Sequence, residues 1–104
     1  MNILQRIFGT GKKVDFKQLV DNKAVIIDVR TKEEYKSGHI KGAINVPLQN
    51  IAREVDSIKK MNHPVITCCA SGARSGIAKK TLEKAGIEVY NGGGWDNLKS
   101  QLKK

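Results

Sequence analysis

The stretch CCASGARSG, Cys68 to Gly76, gathers the residue types best suited to nucleophilic chemistry. It holds both cysteines of the chain, side by side. A cysteine attacks as the thiolate, so the surroundings of the sulfur decide whether it reacts. After Cys69 come four small residues, Ala70, Ser71, Gly72 and Ala73, and then Arg74. Small side chains let the backbone curl tightly, and Gly72 admits a positive φ. A tight curl turns successive N–H groups inward and makes an anion-binding nest. A helix predicted to begin near Arg74 and Ser75 aims its N-terminal dipole at the same point. A thiol so placed falls from about 8.5 toward about 3.5–7.5, and the thiolate then exists at neutral pH without a histidine base. Arg74 offers an incoming anion a planar fork of donors. Cys69 is therefore the expected nucleophile, exposed just past a strand end, with Ala70, Ser71, Gly72, Ala73 and Arg74 as the substrate-binding loop.

Cys68 reads differently. It ends the strand, and consecutive strand residues point to opposite faces, so it cannot share the direction of Cys69. A core-packing role is expected for it. A disulfide between adjacent residues is strained, so both cysteines read as thiols, which suits a reducing, cytoplasmic setting. Asp28 and Arg30 follow another predicted strand and are expected to support the site as an ion pair or helix cap. His39, in SGHIKGA, is expected to hydrogen-bond a turn, His63 to lie on the surface, and Trp95 to anchor the core. No His, Cys, Asp or Glu cluster has metal-ligand spacing, so neither a metal nor another cofactor is expected.

These residues must be held by alternating strands and helices. AVIID (Ala24 to Asp28) and PVITC (Pro64 to Cys68) are apolar without alternation, as strands buried on both faces should be. AINV (Ala43 to Val46) and IEVY (Ile87 to Tyr90) are two further short strands. Thr31 and Glu34 form a capping box that starts a short helix ending at Gly38. Leu48, Ile51, Val55 and Ile58 recur at helical spacing. So do Ile77, Ala78, Leu82 and Ala85, stopped by Gly86, and Trp95, Leu98 and Leu102 after three glycines. This order predicts an α/β fold with a mostly parallel sheet and helices on both faces. In such folds ligands bind beyond the carboxyl ends of the strands, where Asp28, Arg30 and the cysteine stretch all sit.

The 104 residues suit one domain, with residues 1–13 as an extension or short helix and residues 14–104 as the core. Ile3, Leu4, Ile7 and Phe8 share one helical face, read as packed on the domain. The N-terminus has no continuous apolar stretch of a signal peptide, and no run approaches a membrane span. The net charge of +9 points to an anionic partner. The lysines are scattered and no aromatics interleave with them, which argues against nucleic acid.

From about Ala24 to Trp95 the sequence resembles the rhodanese family. VIIDVRTKEEYKSGHIKGAINVPL is similar to the family's N-terminal signature, with Asp28, Arg30, Glu34, Gly38, His39, Ile40, Gly42, Ala43, Asn45 and Pro47 in place. CCASGARS is similar to its active-site loop, with Cys69 as the sulfur carrier. The resemblance implies a three-layer fold on a five-stranded, mostly parallel sheet. It implies a sulfurtransferase that moves sulfane sulfur through a Cys69 persulfide, from thiosulfate or a persulfide donor to cyanide or a thiol. The expected partners are these small molecules and an acidic sulfur-carrier protein, met by a monomer. Many active members carry a charged or amide side chain where this chain has Ala70 and Ala73, which implies modest affinity for dianionic thiosulfate. Two alternatives stand beside this reading. A phosphatase or arsenate reductase of related fold would share the cysteine, loop and arginine, but its C-x5-R loop is one residue longer than the C-x4-R here. A non-catalytic interaction module would typically lack the cysteine.

Overall fold

Local signals start the first two helices. In the computed structural model, which describes residues 14–103, the Asp15 side chain accepts the Gln18 N–H at 3.0 Å and opens α1 (Phe16–Asp21). The helix expected from Ile3, Leu4, Ile7 and Phe8 lies outside the described residues. Strand β1 (Val25–Asp28) follows, then α2 (Lys32–Ser37). Both bonds of the Thr31–Glu34 capping box are present. Strand β2 (Ile44–Asn45) leads through a 3₁₀ turn (Leu48–Asn50) into α3 (Ile51–Lys60). The second half is β3 (Val65–Cys69), α4 (Ala73–Lys84), β4 (Val89–Gly94) and α5 (Trp95–Leu102).

The strands pair in parallel in the order β2-β1-β3-β4, with Asp28 opposite Cys68. The sheet separates two apolar layers. On one face Ile27, Val65, Val89 and Cys69 pack with Ile51 and Ile58 of α3 and Ala78 and Leu82 of α4. On the other, Ile26, Ile66 and Cys68 pack with Leu98 of α5, and residues of α1 and α2 cover the layer. Each fully buried aliphatic side chain contributes about 1.5–3 kcal/mol, so these layers hold the strand ends in place.

The α/β, three-layer arrangement is as expected, but the details differ in three places. The sheet has four strands among the described residues, not the five implied by resemblance. The last strand begins at Val89 rather than Ile87 and runs through Gly92, Gly93 and Gly94. Gly92 and Gly94 stand where the backbone is crowded and leaves no room for a side chain. A Cβ at Gly92 would stand 2.9 Å from Ile66 and Leu98 side-chain atoms and from the Thr67 carbonyl, and one at Gly94 would stand 2.9 Å from the Ala70 carbonyl. Thr67 pairs with Asn91 but Cys69 pairs with Gly94, so β4 carries one extra residue as a bulge beside the cysteine loop. Finally, Ile77 is 56% exposed. Ser75, Ala78 and Leu82 form the inner row of α4 instead, because the helix begins at Ala73 and Ser75 finds polar partners beneath it.

Candidate active site

The pleat separates the two cysteines. Cys69 belongs to the layer under α3 and α4, and Cys68 to the opposite layer under α5. Cys68 is fully buried beside Asp28, and burial foremost, with the carboxylate adding to it, pushes its thiol up to about 12. Cys69 is not exposed past the strand end, as expected from the sequence; it is the last residue of β3 and only 1% exposed. The loop closes over its sulfur because Gly72 takes φ +106°, a left-handed value that favours glycine.

That closure forms the nest. The Gly72 N–H donates to Cys69 Sγ at 2.9 Å, and the Ser75 hydroxyl lies 3.4 Å from the same sulfur. Burial alone pushes the Cys69 thiol up. The Ser75 hydroxyl and the N–H groups of Ser75, Gly72 and Ser71 outweigh it, so Cys69 sits below the ordinary thiol value. Ala70 and Ala73 add no polar side chain, and the Ala70 carbonyl rests against Gly94.

Arg74 is not free to meet an anion, as the loop sequence alone suggests. Its Nη1 and Nη2 donate to Glu34 Oε1 and Oε2 at 2.8 and 3.0 Å, a bidentate pair with each side chain about one-third exposed. The arginine beside it holds the Glu34 carboxyl at about 2. Glu34 thus joins the loop to α2, forty positions earlier, while still closing its own capping box. Sequence reasoning placed Glu34 in that box and in the family signature but gave it no part in the loop; the lone charge of the loop was the one signal that a partner existed.

Asp28 and Arg30 form the ion pair expected of them. Both are buried, and Arg30 meets Asp28 through Nε and Nη2 at 2.9 and 2.7 Å. Arg30 also donates to the carbonyls of Glu34 and Gly38 and lies 4.7 Å over the Trp95 ring. It therefore ties β1 to the middle and the C-terminal end of α2 and so positions Glu34. His39 donates through Nδ1 to the Tyr35 carbonyl, 2.7 Å away, and stacks on the Tyr35 ring, in keeping with a turn role. Two residues to which the sequence assigned no part in the site complete it: Ser75, at the predicted helix start, and Asn91, whose side chain touches Ser75, Gly72 and Gly93. An open cleft of about 690 Å³, lined by Thr31, Lys32, Leu48 and Arg53, reaches Arg74. Among the described residues, no group of three or more His, Cys, Asp or Glu side chains could hold a metal, and no helix is long and apolar enough to cross a membrane.

A cysteine in an amide nest at the end of a central parallel strand is one of two deciding features. The other is a match of residues 13–101 to the model of the rhodanese-like domain. This chain belongs to the rhodanese-like family. It is 40% identical over 88 residues to the uncharacterized protein YqhL of Bacillus subtilis, covering 84% of this chain and 68% of that protein. It is 39% identical over 74 residues to the thiosulfate sulfurtransferase PspE of Escherichia coli, covering 69% and 71%. A solved structure described as a rhodanese with anions from E. coli superposes with a TM-score of 0.65 at 36% identity, covering 71% of this chain and 89% of that one. The rhodanese-like domain and its α/β frame are thus shared with proteins that include a sulfurtransferase.

Proposed function

We propose that the protein is a sulfurtransferase in which Cys69 carries the sulfur as a persulfide. The observation that supports this most directly is the Gly72 N–H on Cys69 Sγ at 2.9 Å, backed by the further loop amides that favour the thiolate. The thiolate attacks the outer sulfur of the donor. A bond forms between Cys69 Sγ and that sulfur, the donor S–S bond breaks, and its electron pair leaves with sulfite or a thiolate. The nest then holds the terminal sulfur of the persulfide. A thiol or cyanide attacks that sulfur, takes it away, and returns Cys69 as thiolate. Ala70, Ser71, Gly72, Ala73 and Arg74 form the binding loop, and Asp28 and Arg30 hold the frame.

Arg74 is already paired, so no unpaired charged side chain of the loop faces a dianion. That favours an organic persulfide over thiosulfate as donor. Lys32 and Arg53 on the cleft suit an anionic group at the far end of such a donor. A small acidic carrier protein would fit the +9 chain by the same electrostatics. Two free thiols suit a reducing compartment such as the cytoplasm. Intact-mass measurement after exposure to thiosulfate or glutathione persulfide tests the proposal. The expected result is a gain of one sulfur atom, removed again by cyanide; no gain with either donor overturns it.

A further inference from the structure

Ser75 has one hydroxyl proton and three acceptors around it. Asn91 Oδ1 is 2.6 Å away, the Gly72 carbonyl 3.1 Å and Cys69 Sγ 3.4 Å. The orientation of the Asn91 amide is set by two other bonds: Oδ1 accepts the Gly93 N–H at 2.9 Å, and Nδ2 donates to the Gly72 carbonyl at 3.2 Å. An amide oxygen cannot donate, so the short contact requires that Ser75 give its proton to Asn91. The Ser75 oxygen then turns a lone pair toward Cys69, which suits the thiol S–H and not the thiolate. When Cys69 ionises, the hydroxyl must swing from Asn91 to the sulfur to stabilise the charge.

We infer that Asn91 is a positioning residue that competes with Cys69 for the Ser75 proton and so sets how readily the thiolate forms. This rests on the sulfurtransferase reading for its purpose but not for its geometry. No carboxylate or cation among the described residues hydrogen-bonds Ser75 or Asn91; the one charged side chain of the loop, Arg74, is paired with Glu34. The bulge in β4 aims the Asn91 carbonyl back at α4, because the Gly93 N–H, at φ +78°, folds onto it. The Gly72 carbonyl remains as a weaker acceptor, being farther from Ser75 and already bonded by the Gly76 N–H at 3.1 Å. Removing the Asn91 carbonyl therefore frees the hydroxyl for the thiolate. A purely structural Asn91 predicts the opposite, since a loosened loop presents fewer donors to the sulfur.

The test is an ultraviolet titration of the Cys69 thiolate in the full chain, with Cys69→Ser as the blank. Asn91→Ala is expected to lower the Cys69 pKa by about half to one pH unit, the shift that one hydrogen bond of ordinary net strength produces. Asn91→Leu, which keeps the bulk and removes the carbonyl, is expected to do the same. Ser75→Ala is expected to raise the pKa, and adding Asn91→Ala to it should change nothing further. An unchanged or raised pKa in both folded Asn91 variants overturns the inference, as does a shift that persists without the Ser75 hydroxyl. The titration uses no sulfur donor. A parent protein that takes up no sulfur therefore refutes the proposed activity and leaves this result standing.

Discussion

Cys68 and Cys69 are neighbours in the chain and opposites in surroundings. Both are buried, so exposure does not separate them. What separates them is the face of β3 on which each sulfur lies. Cys68 shares its layer with Ile26, Ile66 and Leu98 and has Asp28 beside it, so its proton is held far above neutral pH. Cys69 faces the start of α4, where amides and a hydroxyl converge on the sulfur and reverse the cost of burial. A buried thiol is inert or reactive according to the donors aimed at it, and one step along a strand is enough to change those donors.

The comparison breaks most sharply at Cys69. Cys69→Ser is expected to abolish sulfur uptake completely while the fold survives, checked by intact mass after donor treatment together with circular dichroism. Next come the supports of the Cys68 side. Asp28→Asn leaves the Arg30 guanidinium buried without its carboxylate and is expected to cost about 3–5 kcal/mol, read from denaturant unfolding. Cys68→Ser places a hydroxyl in an apolar layer and is expected to cost about 1–3 kcal/mol while sulfur uptake continues. A folded Cys68→Ser protein that takes up no sulfur would show that both thiols share the chemistry.

Smaller effects sharpen the comparison at the loop. Glu34→Gln removes the charge that occupies Arg74 and is expected to raise kcat/KM for thiosulfate about three- to tenfold, with persulfide use unchanged. Adding Arg74→Ala to Glu34→Gln is expected to cancel that gain; a gain that persists without Arg74 in steady-state kinetics would remove Arg74 from donor choice. The smallest effect is on acid stability. The folded Glu34 carboxyl lies at about 2, below its ordinary 4.5, so its contribution is complete above 4.5 and is lost as the pH falls toward 2. A small excess in Tm of the parent over Glu34→Gln at neutral pH should therefore vanish in acid.

The candidate site was legible where it is local. Cys69 and Gly72 lie three residues apart, and the small residues between them foretold a curl whose geometry the backbone adopts, down to the positive φ at Gly72. The opposite facing of Cys68 followed from the two-residue period of a strand. The Thr31–Glu34 box was visible because its partners are three residues apart. Harder to read were contacts with no such spacing. The strand read from the sequence stopped at Tyr90, since nothing in the order of the glycines reveals that Ile66 and Leu98 crowd Gly92 or that the Ala70 carbonyl crowds Gly94.

By itself, then, the sequence determined the layers, the alternation of strand and helix, and the shape of the cysteine loop, because propensity, periodicity and turn chemistry act over a few residues. Only the tertiary structure decided that Cys69 is buried, that Glu34 occupies Arg74 and that Asn91 reaches the Ser75 hydroxyl. Those contacts join residues sixteen and forty positions apart. Such pairs meet only where parallel strands bring their carboxyl ends to one edge and a bulge turns the last strand toward the loop.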